Sequence, residues 1–388
     1  MTASRTEARR VGLGPATPRD RTEQGILDVV FAEGGPVTRV DIAARTGLSK
    51  PTVNAAVRRL ERAGLLAAAG LQTGRQGRIA TFFEIAATAG AVVAVELNPS
   101  VIRVAVSDLL GREVTRQEFA PPRSPDDVAH RLHQVVVEAG DRAQRGNTPL
   151  RAVAISVAKP VDPRTLAVIE LPDTPYPEGL IQPAEILASR IAAPLLVDND
   201  VNLAALGERY NGVAADVANF AFLYVGAGLG MSLVVDGELV RGSRGLAGEI
   251  GYLPSRADAT GERHGLARAV SGLGLGPRRR DAWFADTVAE ARTLLRAAET
   301  GDRTALNAVA EAGRALGEAA TAICSIIDPE LIVLGGPVGT DPLLLSEIER
   351  TLSALAPAPT PVVASSLGDS APLQGALELA RRHARENL

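Results

Sequence analysis

Apolar and polar positions near the start of the chain alternate in a way that predicts two short helices joined by a tight turn. Residues 41–66 begin an apolar face at Ile42 and turn at 46–48. Ser49 is of the type that caps a helix, and the proline two positions later suits a first helical turn, where the N–H needs no helical partner. The next apolar positions repeat at helical intervals, at Val53, Val57 and Leu60. This pattern predicts a helix-turn-helix.

The polar positions of the second helix indicate DNA as its partner. Its outward set, of the kinds that contact bases and phosphates, comprises Ser49, Lys50, Thr52, Asn54 and Arg58. A basic turn punctuated by glycines then separates two apolar runs and contains Arg75, Gln76 and Arg78. We expect this turn to be the tip of a wing that lies along the minor groove. A small helical bundle with a solvated basic face is the alternative.

Beyond residue 86, the apolar runs alternate between the strand period and the helix period. After a linker of small residues at 86–90, residues 91–114 contain two strand-like runs joined by a short turn. Further strands are predicted at 151–157, 194–197, 220–224, 231–235 and 331–334, and a long helix at 305–327. Alternation of this kind favours two α/β lobes.

The charge distribution separates the first 80 residues from the rest. They hold 13 basic and 7 acidic residues, whereas the remainder holds 28 basic and 38 acidic residues. A basic front on an acidic body is the electrostatic layout of a DNA-binding module attached to a separate scaffold. Double-stranded DNA is therefore the predicted partner of the first domain.

Composition bounds the class of protein. The 388 residues are 46% hydrophobic, with a mean hydropathy of +0.10, which is enough to bury several cores. The sequence shows neither a long apolar run nor a secretion signal, so we expect a cytoplasmic protein with no membrane partner. Cys324 is the single cysteine, which excludes an internal disulfide framework. Residues 1–20, rich in Arg, Thr, Pro and Gly, are expected to form a mobile arm.

Three stretches of the body carry specific motifs. Residues 224–254 contain a glycine-rich turn followed by the pattern R-G-x-x-G-x-A-G-E-x-G, residues 197–205 read VDNDVNLAA, and residues 332–337 read IVLGGP. These stretches resemble the ROK family, which contains repressors, open reading frames and sugar kinases. In that family they correspond to the glycine-rich phosphate turn with its signature, the segment with the catalytic aspartate, and the adenosine-side turn. The resemblance implies an α/β fold in which a winged helix-turn-helix precedes a two-lobed, actin-like ATPase body similar to a sugar kinase.

Domain boundaries follow from the pattern and the resemblance together. We expect the winged helix-turn-helix at 21–86, the first lobe at 91–196, and the second lobe, with the glycine-rich turn and a dimerisation surface, at 197–370. A C-terminal helix at about 371–386 is expected to pack back on the first lobe.

The resemblance also implies a polyol-binding edge. Asn199 and Asp200 follow a buried strand, where ligands bind in open α/β sheets, and Glu249 is retained from the signature. The turn supplies three residues without a Cβ that allow close backbone approach to an anion, Gly226, Gly228 and Gly230. Structural roles are open for all of them, because Asn199 or Asp200 could cap the next helix and the glycines could form a tight hairpin without a ligand.

At the phosphate loop the sequence departs from the family's kinases. Where they have an aspartate followed by glycines and a threonine, residues 96–100 read Glu-Leu-Asn-Pro-Ser. Pro99 removes an N–H donor, and the lost glycines restrict the approach of the backbone, so we expect no productive ATP binding. Asp200 matches the family's catalytic base but would then be only a hydrogen-bond acceptor. The prediction is a protein that is not an enzyme and has no catalytic residues.

The family's zinc site is altered as well. Tyr252 stands at the position of the site's histidine, and residues 260–266 contain no cysteine. Since a zinc ion needs about four N, S or O ligands, no structural zinc is expected.

Three further departures concern the ligand. Arg268 stands near the family's sugar-binding glutamate, Ala158-Lys159 replace a P-G turn, and Asp173 replaces an asparagine. Two new cations near the cleft would favour a sugar phosphate or a sugar acid. The alternative is that both cations face solvent or pair with nearby acids.

These expectations describe a repressor of carbohydrate-related genes that assembles as a dimer or tetramer. Its winged helices would bind an inverted-repeat operator, and a sugar, sugar phosphate or sugar acid in the body would change the DNA affinity. Two alternatives stay open: a DNA-binding regulator whose body only dimerises and senses no ligand, and an active ATP-dependent sugar kinase that also binds DNA.

Overall fold

The chain folds as two units, separated at the predicted linker. The computed structural model describes residues 18–73, 79–98, 101–120, 125–171, 181–187, 190–257, 263–275, 284–358 and 360–388. The first unit ends at Gly90 and the second spans Ala91–Asn387. None of the helices in the described ranges is both long enough and apolar enough to cross a membrane.

The first unit is a winged helix-turn-helix, as the sequence predicts. Its elements are α1 (Pro18–Glu33), β1 (Val37–Thr38), α2 (Arg39–Thr46), α3 (Lys50–Arg62), β2 (Leu66–Thr73) and β3 (Ile79–Ile85). Strand β3 pairs antiparallel with β2 and with β1. Residues 18–20 form the first turn of α1 although the sequence analysis assigns them to the arm, and residues 1–17 lie outside the described residues.

Local hydrogen bonds fix where α2 and α3 begin. At the start of α2, the Asp41 amide donates to Thr38 Oγ1 at 3.2 Å and the Thr38 amide donates to Asp41 Oδ2 at 3.0 Å, which forms a capping box. Gly47, with φ of 69°, ends α2. The Thr52 amide donates to Ser49 Oγ at 3.3 Å, so Ser49 caps α3 as predicted.

The first lobe of the second unit is built on a five-stranded sheet. Its elements are β4 (Ala91–Asn98), β5 (Val101–Asp108), β6 (Glu113–Phe119), α4 (Pro125–Arg145), β7 (Leu150–Val157), α5 (Pro183–Leu187) and β8 (Leu195–Asn199). The strand order is β6-β5-β4-β7-β8, with β4, β7 and β8 parallel. Strand β8 carries residues 197–199 into this sheet, so the lobe extends past the boundary expected at 196.

The second lobe is built on another five-stranded sheet, in the order β11-β10-β9-β14-β15. Its first elements are α6 (Asp200–Asn211), β9 (Phe220–Val225), β10 (Leu229–Val235), β11 (Glu238–Leu239), β12 (Pro254–Ala257), β13 (Arg263–Gly265), α7 (Leu266–Ala269) and α8 (Phe284–Glu299). The chain continues through α9 (Arg303–Ile327), β14 (Leu331–Gly335), α10 (Gly336–Gly339), α11 (Pro342–Leu355), β15 (Val362–Ala364) and α12 (Ala371–Glu386). The strands predicted around 220–235 and 331–334 and the long helix are all present.

The C-terminal helix returns to the first lobe. Helix α12 packs against α6 and also against β4 and β7 of the first sheet. The crossing of α6 and α12 is close, because a Cβ at Gly375 would lie 1.7 Å from the Leu203 carbonyl oxygen. The absence of a side chain at Gly375 therefore allows α6 and α12 to pack closely.

Candidate functional site

Helix α3 presents an exposed polar face beside a buried apolar one. Val53 and Val57 are fully buried and Leu60 is nearly so. The predicted DNA-contacting side chains of α3 and its cap are all exposed, namely Ser49, Lys50, Thr52, Asn54 and Arg58. Ser49 Oγ and Thr52 Oγ1 also lie 2.8 Å apart, so these two hydroxyl groups form a hydrogen bond at the start of the helix.

Basic residues of the first unit differ in whether they form ion pairs. Arg39, Arg45 and Arg59 form ion pairs with Glu61, Glu33 and Glu23 respectively. By contrast, Lys50 and Arg58 have no ion-pair partner among the described residues. Their charges remain available to phosphates, whereas the paired arginines stabilise the scaffold.

The wing is a β-hairpin formed by β2 and β3. Residues 66–73 pair with residues 79–85, and the register shifts between Ala68 and Gly70. Arg75, Gln76 and Arg78 belong to the tip at 74–78, which lies outside the described residues. Their contact with the minor groove therefore stays a prediction.

A small cavity, called the polar cavity below, lies where β8 and α6 meet the β9–β10 hairpin. Its volume is about 130 Å³. Six residues from the sequence prediction line it together, namely Lys159, Asn199, Asp200, Gly228, Gly230 and Glu249. Residues from four separate stretches of the chain thus converge on one cavity.

An ion pair that the sequence analysis missed joins two of the stretches. Arg241 Nε donates to Asp198 Oδ2 at 2.7 Å, and Asp198 is almost fully buried. The other oxygen of Asp198 accepts from Asn202 Nδ2 at 3.0 Å and from the Asn199 amide at 2.8 Å. Asp198 therefore fixes the strand end beside the cavity and ties it to the signature segment that begins at Arg241.

Asn199 has the structural role that the sequence left open. Its Oδ1 caps α6 by accepting from the Val201 amide at 2.9 Å and the Asn202 amide at 3.3 Å. The Asn199 side-chain NH₂ group is not used in this cap, so the residue can cap the helix and donate to a ligand. Asp200 Oδ1 also accepts from the Val201 amide, at 2.9 Å.

The three glycines of the turn have different roles. The Gly226 amide donates to the Gly228 carbonyl at 3.0 Å, which makes a tight hairpin. A Cβ at Gly226 would lie 2.6 Å from the Tyr224 hydroxyl, and one at Gly230 would lie 2.8 Å from Val201 Cγ2. A Cβ at Gly228 would meet nothing within 4 Å. Gly226 and Gly230 are thus explained by packing, while Gly228 leaves its backbone open beside the polar cavity.

Two glycines of the signature position Glu249. Gly245 and Gly248 have φ of 74° and 91°, in the left-handed region. A Cβ at Gly248 would lie 1.8 Å from the Met231 carbonyl oxygen, and the Gly248 carbonyl accepts from the Met231 amide at 2.9 Å. The segment is held against β10 by its backbone, so that Glu249 follows at the cavity wall.

The two predicted cations have different surroundings. Lys159 is 3% exposed and lines the polar cavity. Arg268 is exposed and is absent from that lining, because Leu266 turns inward in the short helix α7 and a residue two positions later lies on another face. The structure therefore does not bring Arg268 to the predicted site. Asp173 lies outside the described residues.

Both carboxyl groups of the polar cavity have raised pKa values. Burial raises the pKa of Asp200 to about 7, and the charges of Glu96 and Glu249 act in the same direction. Burial also raises the pKa of Glu249 to about 7. Near neutral pH each group is partly protonated, so each can accept a hydrogen bond from a hydroxyl group or donate one to it.

A larger cavity, called the cleft cavity below, extends from the ends of β4 and β5 to α8. Its volume is about 470 Å³, and Asp200 and Tyr224 line both cavities. Glu96 and Arg103 face each other across the β4–β5 pair, and their charged groups are 3.2 Å apart. Arg103 also contacts Glu118 at 3.0 Å and donates to the Asp369 carbonyl at 3.1 Å. The end of this cavity nearest the altered phosphate loop is thus occupied by an ion-pair network.

Residues 92–383 match the ROK family, and residues 19–67 match the winged helix-turn-helix DNA-binding family. The chain belongs to the ROK family. Both cavities lie within the ROK match, and α3 lies within the winged-helix match. A ROK member with this N-terminal domain is a DNA-binding transcriptional regulator, which confirms the function predicted from the sequence.

Relatives of the chain include both regulators and an enzyme. The DNA-binding transcriptional dual regulator NagC of Escherichia coli K12 is 25% identical over 370 residues, which are 88% of this chain and 89% of NagC. The xylose repressor of Caldicellulosiruptor bescii is 23% identical over 77% of this chain and 79% of the repressor. The bifunctional enzyme NanE/NanK of Brucella melitensis is 33% identical over 57% of this chain and 40% of the enzyme.

Solved structures show the same fold. A ROK family transcriptional regulator, a homologue of the E. coli MLC protein, covers 95% of this chain and 98% of its own with a TM-score of 0.71 at 21% identity. A ROK glucokinase from Streptomyces griseus, in complex with glucose and AMPPNP, covers 76% of this chain and 100% of its own with a TM-score of 0.56 at 24% identity. These likenesses confirm the predicted architecture of a winged helix followed by a kinase-like body.

Proposed function

We propose that the chain represses carbohydrate-related genes and releases its operator when a sugar or sugar derivative occupies the polar cavity. The observation that carries the proposal is the convergence of Asn199, Asp200, Glu249 and Lys159 on one cavity. The names of the xylose repressor and of NagC, a DNA-binding regulator, support the repressor role. Ligand binding would change the free energy of operator binding by about 1–3 kcal/mol, the usual range for a regulatory site.

Operator binding would use α3 of two copies of the chain. One helix reads only a few base pairs, so a dimer on an inverted repeat gains both affinity and a longer site. Lys50, Thr52, Asn54 and Arg58 would contact bases or phosphates in the major groove. Arg75, Gln76 and Arg78 would contact the minor-groove side.

Arg58→Ala tests the DNA-binding half of the proposal. An operator is first selected from random duplex DNA with the full chain, and its affinity is measured by fluorescence anisotropy at several salt concentrations. Loss of the Arg58 contact should weaken binding by about 1–3 kcal/mol. Arg350→Ala, at an exposed arginine of α11, is the matched control. Unchanged binding by Arg58→Ala would remove this residue from the DNA interface.

The polar cavity would hold a polyol through complementary hydrogen bonds. Asp200 and Glu249 would accept from ligand hydroxyl groups, and the Asn199 amide would donate. Lys159, buried at the same wall, would add a charge-assisted bond to the phosphate or carboxylate of a sugar derivative. Asp173 is proposed as a further contact.

Thermal unfolding of the full chain tests the sensing half. The panel contains neutral sugars, amino sugars, sugar phosphates and sugar acids, because a ligand that binds only the folded body must raise its stability. A saturable rise that is lost in Glu249→Ala but retained in Glu311→Ala, an exposed glutamate of α9, would support the proposal. No rise with any compound, in protein that still binds DNA, would favour the regulator whose body only dimerises.

The chain is proposed to use neither ATP nor zinc. The Glu96–Arg103 pair stands at the end of the cleft where the family's phosphate loop begins. Cys324, the only cysteine, lies in α9 and donates to Thr360 Oγ1 at 3.4 Å. Within the described ranges no three His, Cys, Asp or Glu side chains are grouped closely enough to hold a metal ion. A tetrahedral zinc site needs about four such ligands, so the described side chains do not supply one.

One observation favours the alternative of a sugar kinase. Asp200 matches the family's catalytic base, and its pKa of about 7 suits a general base at neutral pH. ADP release with ATP, Mg²⁺ and the sugar panel tests this alternative directly. Turnover that disappears in Asp200→Asn would overturn the non-enzymatic proposal. Absence of turnover with every sugar that binds would support the non-enzymatic proposal.

A further inference from the structure

The cleft cavity has features that sugar sensing in the polar cavity does not use. With a volume of about 470 Å³, it is within the size range of small-molecule sites. We propose that it binds a second ligand, a small organic anion whose phosphate or carboxylate group is held by Arg292 and Arg296 without a metal ion. This inference concerns a separate cavity and does not depend on a sugar binding elsewhere.

The anion would be held by one face of α8. Arg292 and Arg296 are four residues apart, so they occupy the same side of the helix, and both line the cavity. Arg292 Nε donates to the Pro337 carbonyl at 3.4 Å, and Arg296 Nη2 donates to Thr293 Oγ1 at 3.1 Å. In the part of the chain that the structure describes, neither forms an ion pair with a carboxylate. Two planar guanidinium groups with spare donors match a phosphate or carboxylate.

The opposite end of the cavity limits what the rest of the ligand can be. Arg103 is already engaged by Glu96, by Glu118 and by the Asp369 carbonyl. A polyphosphate chain that reached this end would meet the Glu96 carboxyl without a free cation to offset it. The geometry therefore favours a compact ligand with its charge at the α8 end and an uncharged body near Tyr224.

A ligand in the cleft cavity can affect ligand binding in the polar cavity because the two cavities share lining residues. Asp200 and Tyr224 line both cavities. A ligand that changes the hydration or protonation of Asp200 from one side alters the same carboxyl group on the other side. Occupancy of the cleft cavity should therefore change the affinity of the polar cavity.

Isothermal titration calorimetry on the full chain, in EDTA, tests the proposal. The probes are glucose 6-phosphate, AMP and citrate, which separate sugar phosphates, nucleotides and carboxylates as sources of the anion. At least one should bind saturably, and Arg292→Ala with Arg296→Ala should weaken it at least about tenfold through the loss of charge-assisted hydrogen bonds. Arg314→Ala, at an exposed arginine of α9 outside the cavity lining, should leave the affinity unchanged.

The alanine substitutions suit exposed helical positions, since alanine is the best helix former. If the double variant fails to fold, Arg292→Lys with Arg296→Lys carries the test, because lysine keeps the charge but loses the planar pair of donors; its binding should still weaken several-fold. The proposal is overturned if no probe binds to protein that binds DNA, or if the arginine variants bind as the native chain does. It is also overturned if a probe that does not bind in EDTA binds once Mg²⁺ replaces the EDTA.

Discussion

Replacement of Glu96 by glutamine should remove part of the pH dependence of the body's stability. Glu96 is 2% exposed at the end of β4 and pairs with Arg103. Burial raises the pKa of Glu96 to about 7, and the nearby Arg103 charge only partly offsets that effect. Glutamine has nearly the same shape and cannot ionise, so Glu96→Gln isolates the cost of the buried charge.

The sign and size of the effect follow from linkage between proton binding and folding. Because the carboxyl pKa is raised from 4.5 to about 7 on folding, the folded state binds the proton more tightly than the unfolded state. The stability that protonated Glu96 contributes to the folded state is fully present below pH 4.5 and is lost as the pH rises through 7. A shift of this size corresponds to about 3 kcal/mol between pH 4.5 and pH 8.5.

Urea unfolding followed by circular dichroism, repeated from pH 4.5 to pH 8.5, measures this difference. The free energy of unfolding of the native chain should fall relative to Glu96→Gln as the pH rises. Glu96→Gln also removes a charge that helps to raise the pKa of Asp200, so the difference between the two curves reports Glu96 together with its coupling to Asp200. Glu311→Gln is the control, since Glu311 is exposed on α9 and lies outside the Glu96–Arg103 network. A difference curve that stays flat across this range would refute the reasoning.

Three further substitutions test the packing that supports the site. Gly375→Ala should destabilise the body by about 1–3 kcal/mol in thermal unfolding, because its Cβ would lie 1.7 Å from the Leu203 carbonyl oxygen; unchanged stability would mean that the crossing of α6 and α12 is looser. Glu208→Ala should cost about 3 kcal/mol or more in urea unfolding, because the buried carboxylate accepts from two serine hydroxyls and two backbone amides. Asp198→Asn should cost about 1.5–3 kcal/mol through the lost ion pair with Arg241, and calorimetry should show weaker binding in the polar cavity; full affinity would contradict the positioning role.

The helix-turn-helix could be predicted from the sequence because its signals are local. The cap at Ser49, the turn glycine at 47 and the helical spacing of Val53 and Val57 all act within a few residues of each other. Each of these signals agrees with the observed α2, α3 and their connection. The strands of the body were predictable for a similar reason, since continuous apolar runs such as residues 91–95 suit the buried centre of a sheet.

Contacts between distant stretches could not be predicted with equal ease. The ion pair of Asp198 with Arg241 spans 43 positions in sequence, and only the folded topology brings its partners together. Arg268 shows the converse: its charge suggested a ligand contact, but the direction of a side chain on a four-residue helix depends on which neighbour is buried. The Glu96–Arg103 pair was within reach of sequence reasoning, because a short hairpin between β4 and β5 places these two charges opposite each other.

The distribution of changes within the cleft bears on how a kinase-like body can serve a regulator. At the phosphate end, Glu96 and Arg103 satisfy each other, so the polar groups there are directed toward the protein. At the polar cavity, Asp200 and Glu249 are half-buried and have raised pKa values, and a ligand that supplies hydrogen bonds would relieve part of their desolvation. Under the proposed function, a small ligand that binds at this second end would stabilise the body without transferring a phosphate. The expected signal to the winged helix is therefore a change in conformational equilibrium that depends on ligand concentration and needs no chemical step.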